Sequence, residues 1–401
     1  MLLQNRFQQA VKFLLSVVSK LQPIPILNCI KVTQTKKQVT YEATNLDSYL
    51  KITLPIWSDI EGTFALDSKL ISKLKEKVAS KINQTKIHFG NVIVPNTDVS
   101  DFPLFPSGDS KKPVFESCGA DKSEFISAGK RVSNYISTNE PSRGSLMGVC
   151  FRNGHFYGTN GNILVKQKVS LKADKGFECV IPASFFRHLS SDFIIDSTID
   201  LRVFKQDSDT SFITANGRGF ELTAKLLQGD YPAIEKVLPK QFEHSFTIGR
   251  EEFLEVAKSA LIYANPRRNF QAILSPDKSW KSLELKTVPA ENGIVYSDTV
   301  TVRSSSKAKW DGIGVSVKYL ATILSDCKGK SVEIKASKNA VHPITFQPTE
   351  DKSLYFLLMP LRRIDEEEEQ AQDTKTQQVA KEETSTEVKP DDKSVEKVLQ
   401  K

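Results

Sequence analysis

One pattern occurs three times along the chain, and that repeat limits the possible folds more than any composition could. The strings FQQA, FISA and LEVA begin at Phe7, Phe125 and Leu254, 118 and 129 residues apart, and each lies in an amphipathic helical pattern. A period of that size is a domain, far longer than the roughly 20 to 50 residues of a solenoid unit. Behind each helix comes strand-like alternation: ILNCIKVTQ with QVTYEATN, then MGVCFRNGHFYGTNGNILVKQKV, then FQAILSP with SLELKTV. A short extended run leads into a second helical stretch, TFALDSKLISKLKEKV, CVIPASFFRHLSS and GIGVSVKYLATILSDC, with Asp67, Ser184 and Ser316 placed as N-caps. Closing strands end each unit: KIHFGNVIV, then IDLRVFKQ with SFITANGRGFELTAKLL, then SVEIKAS, PITFQP and LYFLLMP.

Two helices embedded in strands predict an α+β fold, three similar domains in which two helices cover an antiparallel sheet. The Pro-bearing joints DFPLFPSGDSKKP and DYPAIEKVLPK set the divisions at 1–116, 117–239 and 240–363. Residues 364–401 hold 12 acidic side chains, six lysines and almost no large apolar residue, so burial cannot offset ordering entropy and the tail should be disordered. Its removal leaves 49 basic against 36 acidic residues, a balance of +13 that raises the question of a polyanionic partner.

Other classes are poorly served by the residues. No window approaches the ~18 apolar residues of a membrane span, and Arg6 and Lys12 interrupt the N-terminal pattern that a secretory signal would need. A cytoplasmic location without a membrane partner is expected. Cys29, Cys118, Cys150, Cys179 and Cys327 are odd in number and scattered, which points to reduced, mostly buried thiols and to no metal site. His88, His155, His188, His244 and His342 are far apart, and no GxSxG, Walker loop or HExxH string occurs. No catalytic residues and no cofactor are expected.

Four strings, in order on the repeat, carry a family resemblance: PILNCI with EATNLDSYLKI, SLMGVCF with YGTNGNILV, GDYPAIEKVLPK, and LYFLLMPLR. Together they resemble the bacterial DNA polymerase III beta subunit, the beta sliding clamp, over about Asn5 to Arg363. The last string, a strand followed by Met-Pro, an apolar residue and Arg, is the most specific.

The resemblance implies a ring, two three-domain chains joined head to tail, with helices lining a hole that admits duplex DNA. Lys and Arg on those helices would meet phosphates without reading bases. The candidates are Arg6, Lys12, Lys20, Lys122, Lys130, Arg131, Arg250 and Lys258 on first helices. Lys69, Lys73, Lys75, Lys77, Arg187 and Lys318 belong to the second, and Arg267 and Arg268 to the loop NPRRNF. The replicative polymerase and the clamp loader would share one hydrophobic peptide cleft. Its residues are Leu146, Thr159, Gly161, Asn162, Ile163 and Leu164, then Pro232, Lys236 and Val237, then Leu357, Leu358, Met359, Pro360, Leu361 and Arg362. The homodimer interface would involve Val92 with Ile262 and Tyr263.

Two departures from the family pattern imply, on that resemblance, a divergent member. Where the family usually has Thr-Asp-Gly-His-Arg-Leu this chain reads TNGNIL, so Asn162 and Ile163 should make the cleft wall less basic and more apolar, and the body is basic where family members tend to be acidic. A non-ring DNA-binding or scaffold protein built from the same modules is the alternative.

Overall fold

The computed structural model describes residues 2–18, 24–74, 77–106, 112–206, 210–239, 241–289, 293–305 and 310–362. The acidic segment 364–401 lies outside the described residues, as do Lys20 and Lys75. By Cα proximity the chain divides into one large unit, Met1–Pro360, and a short one, Leu361–Lys401.

Six helices occur among the described residues of the large unit: α1 (Leu2–Val17), α2 (Ser68–Ile71), α3 (Lys122–Ser133), α4 (Ala183–Leu189), α5 (Arg250–Tyr263) and α6 (Val317–Asp326). The order first helix, 3-10 turn, four strands, second helix, three strands occurs three times, with a leading strand before the second and third copies. The three units of the repeat are therefore real, and each joins a helix pair to antiparallel sheet.

Pairing is antiparallel throughout, and strands cross between units in a fixed way. In the first unit the third strand, Ser48–Leu54, pairs with the second unit's last strand, Phe220–Lys225, in register Ile52↔Phe220 to Ser48↔Ala224. In the second unit the third strand, Ile163–Lys168, pairs with the third unit's last strand, Leu354–Leu358, in register Ile163↔Leu358 to Gln167↔Leu354. An eight-stranded and a twelve-stranded sheet result, and the first unit's closing strands, Lys81–Ile82, Lys86–Phe89 and Val92–Pro95, form a separate three-stranded sheet.

The main core lies where the helices meet the sheets. From α1, Phe7, Ala10, Phe13 and Leu14 are buried with Tyr41, Leu50 and Ile52; Phe125, Ala128 and Val132 of α3 and Phe253, Ala257 and Ala260 of α5 join the same core. The apolar residue and the Ala that define the sequence repeat thus face inward in every unit.

Asp67 is an N-cap, accepting from Lys69 N at 2.7 Å, and Ser316 stands at the N-cap of α6 without a side-chain bond. Ser184 does not cap: Pro182 occupies that place and α4 begins at Ala183, because proline's fixed φ suits the entry to a helix. The second helix of the first unit also falls short of its sequence pattern, ending at Ile71 after four residues.

Helices α3 and α4 approach through Gly129. A Cβ there would lie 2.1 Å from Cδ1 of Phe186, whose fully buried ring is hemmed in by Phe125, Phe156 and Phe185 and cannot retreat. Gly129→Ala is expected to overpack this contact and destabilise the chain by about 1–3 kcal/mol. Gly144→Ala, with no atom within 4 Å of the added Cβ, is the control. Calorimetry should show a lower Tm for the first variant and little change for the second.

Candidate functional site

Register decides which residues share a surface on the second and third units. Thr159↔Leu164↔Leu357 form one cross-strand row, and Tyr157↔Lys166↔Tyr355 form the next. Side chains alternate across a pleat, so these rows share one face, while Ile163, Val165, Phe356 and Leu358 point into the main core. On the first face a small second core gathers Leu146, Cys150, Tyr157, Leu164, Val180, Tyr231, Ile234 and Leu357, with Leu227, Leu238, Tyr355 and Met359 against it.

The connector that follows Lys225 is held onto this face by polar bonds. Leu227 N donates to Val180 O (2.9 Å), Ser145 Oγ to Asp230 O (3.0 Å) and the Tyr231 hydroxyl to Tyr157 O (3.3 Å). A 3-10 turn at Ile234–Lys236 then leaves Pro232, Lys236 and Val237 exposed at the rim, as is Met147. Burial pushes the Tyr157 hydroxyl up to about 12, aided by the negative charge of Glu235, and pushes Tyr231 up too, so both phenols stay neutral donors.

A tight turn braces the patch. Thr159 Oγ1 donates to Ile163 O (2.7 Å) and accepts from Gly161 N (3.1 Å); Asn160 Oδ1 accepts from Asn162 N (3.0 Å) and Ile163 N (3.2 Å). Gly161 has φ +88°, a conformation glycine adopts without strain. Met359 N donates to Asn162 O at 2.8 Å, fixing the Met against the turn. The first unit builds the same turn from Thr44 and Asn45, with Lys225 N donating to Asp47 O at 2.8 Å.

Of the residues assigned to the cleft by sequence, Leu146, Leu164, Leu357 and Met359 come together in the small core. Thr159, Gly161 and Asn162 form its bracing turn, Pro232, Lys236 and Val237 its rim, and half-buried Pro360 follows Met359. Two assignments are corrected: Ile163 and Leu358 face the main core, because strand alternation turns them away, so Ile163 does not reshape the cleft wall. Leu361 and Arg362 belong to the short C-terminal unit, where Leu361 is half-buried and Arg362 exposed. Cys150, Tyr157, Val180, Tyr231 and Ile234 went unassigned; period-two alternation would have placed Tyr157 beside Leu164.

The helix cations divide into two groups. Exposed are Lys12 on α1, Lys69 on α2, Lys130 on α3, Arg187 on α4, Lys258 on α5 and Lys318 on α6. Lys258 pairs with Glu255 at 3.1 Å, Lys318 lies 5.7 Å from the Phe270 ring centre, Lys73 is exposed beyond α2 and Lys77 is half-buried.

Four expected DNA contacts are instead committed to the fold. Lys122 Nζ donates to Ile194 O (2.5 Å), and Arg250 donates to Gly329 O (3.0 Å) and Leu324 O (3.4 Å), each from the first residue of a first helix to the region where its companion helix ends. Arg6 donates to Phe193 O and covers the Phe193 ring, and Arg131 donates to Gln167 Oε1 at 2.5 Å. Leu324 lies in the last turn of α6, where orphan carbonyls attract a cation such as Arg250, whereas Ile194 and Gly329 lie beyond the ends of their helices. Arg267 is exposed and Arg268 half-buried on the loop after α5, and neither is free of partners.

Lys12 and Arg187 come from different units yet line one groove of about 220 Å³ between α1 and α4, with Ser16, Ser191 and Asp192. His188 borders it, bonded through Nδ1 to Ser16 Oγ at 3.0 Å.

Two stretches of strand have an open edge with apolar side chains beside it. Val92–Pro95 pairs on one side only, with Lys86–Phe89, and exposes Val92 and Ile93. In the third unit's third strand, Ser297–Thr301 pair on one side with Ser282–Lys286, and no described strand covers the other side of that stretch. Beside it Ile262 is 78% exposed, and Tyr263, Ile294 and Val295 are also exposed, with Tyr263 stacked on Tyr296 at 5.6 Å. Val92, Ile262 and Tyr263, assigned by sequence to the interface, are thus on the surface, as are Ile93, Ile294 and Val295, which carried no assignment. Among the described residues no three His, Cys, Asp or Glu gather as a metal set, no helix is long and apolar enough to cross a membrane, and only Cys118 of the five thiols is exposed.

No family model matches the chain. It is similar to the beta sliding clamp of Bacillus subtilis, 21% identical over 384 residues, covering 90% of this chain and 98% of that one. The beta sliding clamp of Helicobacter pylori strain J99 is 23% identical over 390 residues, covering 89% and 98%. The solved beta subunit of Streptococcus pyogenes DNA polymerase superposes with a TM-score of 0.76 at 19% identity, over 90% of this chain and 98% of that one.

The α1–α4 groove is sensitive to acid. Burial, then the neighbouring Arg187 charge, holds His188 down at about 4. The folded value lies below the ordinary 6.5, so the neutral ring stabilises the fold above that pH, and the contribution is lost as pH falls from about 6.5 to 4. The loss attributable to this group is at most about 3 kcal/mol. Denaturant titrations at pH 7, 5.5 and 4 should show a shallower pH dependence for His188→Asn than for the native chain.

Proposed function

We propose that this chain, a divergent member of the beta sliding clamp family, works as a DNA sliding clamp: two copies close head to tail into a ring that encircles duplex DNA and tethers a polymerase. The observation that carries the reading is the repeated junction. Twice, the third strand of one unit pairs with the last strand of the next. The one last strand and the one third strand left over are Val92–Pro95 and the Ser297–Thr301 stretch, each with an unpaired edge and exposed apolar side chains beside it. A second copy repeats the junction at both places, satisfies the open backbone groups and gives a closed two-fold assembly.

Exposed cations on all six helices suit such a ring. Contacts to phosphate are sequence-independent and screened by salt, so the ring holds DNA by enclosure while single contacts break and re-form as it slides. The exposed Lys and Arg contacts belong to this bore; Lys122, Arg250, Arg6 and Arg131 shape it from behind.

The small second core supplies the tether. Rim residues Met147, Val237 and Met359 beside Pro232 and Pro360 offer an adaptable apolar surface on a rigid turn, suited to a short peptide with a few apolar anchors from the polymerase or the loader. No covalent step is needed for this work; the chain acts in the cytoplasm as a non-catalytic tether.

Retention on DNA tests enclosure. Chains loaded on nicked circular DNA should stay bound through a high-salt wash and be released when the circle is linearised, whereas a non-ring binder would dissociate from both alike. Ile93→Asp, which sets an unpaired charge on the exposed edge, should abolish retention on circles with little effect on Tm.

A further inference from the structure

The face that carries the apolar patch changes character one row along the strands. Beyond Thr159, Leu164 and Leu357 lies the row Tyr157, Lys166 and Tyr355, and then His155 opposite Lys168, each step about 7 Å. There a cleft of about 280 Å³ opens, lined by Lys166, Lys352, His155 and Tyr355 over Leu238 and Pro239. It adjoins the apolar patch directly: Leu238 and Tyr355 pack against the small core, and the Lys166 ammonium lies 5.9 Å from the ring centre of Tyr157, a member of that core.

The charge of this cleft is unbalanced. No carboxylate lines it, and neither Lys166 nor Lys352 makes an ion pair among the described residues. Of the carboxylates nearby in sequence or on the connector, Asp351 accepts from Ser353 N (3.0 Å) and Ser353 Oγ and Glu235 pairs with Arg152 (3.3 Å), so neither is held against Lys166 or Lys352. His155 Nδ1 faces the Asn153 carbonyl at 2.8 Å and so donates, leaving Nε2 as the titrating position. Burial holds that ring below its ordinary value, opposed by the hydrogen bond to the Asn153 carbonyl and reinforced by the charges of Lys166 and Lys168.

We infer that this cleft is the anion-accepting half of the partner site, taking an Asp or Glu side chain that flanks the apolar anchors of a docked peptide. The inference rests on the peptide-docking reading above and adds to it a charge preference. Two uncompensated ammonium groups over an apolar floor favour a carboxylate, and one or two residues of extended chain span the distance from the apolar row.

Labelled nine-residue peptides with a central Leu-Leu-Phe, flanked on each side by three Ser, three Glu or three Lys, separate the two readings by fluorescence anisotropy. In 50 mM salt the native chain should bind a Glu-flanked peptide about fivefold tighter than its Ser-flanked partner, an advantage that shrinks at 300 mM salt. Lys352→Glu should keep the Ser-flanked affinity, which also reports that it is folded, while losing the Glu advantage and gaining one for Lys. Equal binding of Ser- and Glu-flanked peptides to the native chain would overturn the charge preference and leave docking intact. Failure of every peptide to bind would overturn docking and this inference together.

Discussion

An unpaired strand edge is the constraint on which the rest of this structure depends. A sheet edge exposes a row of backbone donors and acceptors, and at two places the fold covers such a row with a strand of the next unit. Ser48–Leu54 receives Phe220–Lys225, and Ile163–Lys168 receives Leu354–Leu358. The sheets therefore run across unit boundaries, and rigidity passes along the chain through hydrogen-bonded strands. Val92–Pro95 and Ser297–Thr301 are each left open on one side with exposed apolar neighbours, and these are the places at which the proposed second copy would repeat the junction.

The junctions also make the surface proposed to dock a partner peptide. Where the second and third units share a sheet, the row Thr159, Leu164 and Leu357 exists only because two units contribute to it, and the connector closes over it with Tyr231 and Ile234. The equivalent place between first and second units carries Tyr49, Phe204 and Phe212, with Phe105 of the first connector packed against them. One geometry thus yields a filled aromatic contact at one junction and an apolar patch with an exposed rim at the other. On the helix side, Lys122 and Arg250 each open a first helix and bond carbonyls in or after its companion helix, so part of the basic character maintains the helix pairs themselves.

Much of this was legible in the sequence because it is periodic. The apolar residue and Ala of FQQA, FISA and LEVA are buried in all three units, and the helix and strand order follows the pattern they announce. What the sequence hid are matters of register and reach. Ile163 and Leu164 are neighbours, yet alternation sends one to the main core and the other to the patch, which a string match cannot separate. Long side chains hide too: Lys122 and Arg250 look like free surface charge until the carbonyls they reach, more than 70 residues on, are in place. The short α2 was masked by a Lys-rich run that reads as helix but ends at Ile71.

The mass of the chain in solution probes closure most directly, since the open edges are complementary only in the presence of another copy. Light scattering during size-exclusion chromatography at micromolar concentration should give about twice the 44.8 kDa of one chain, unchanged on moderate dilution. A single-chain mass at that concentration, with Val92–Pro95 and Ser297–Thr301 amides exchanging freely with solvent, would contradict the account.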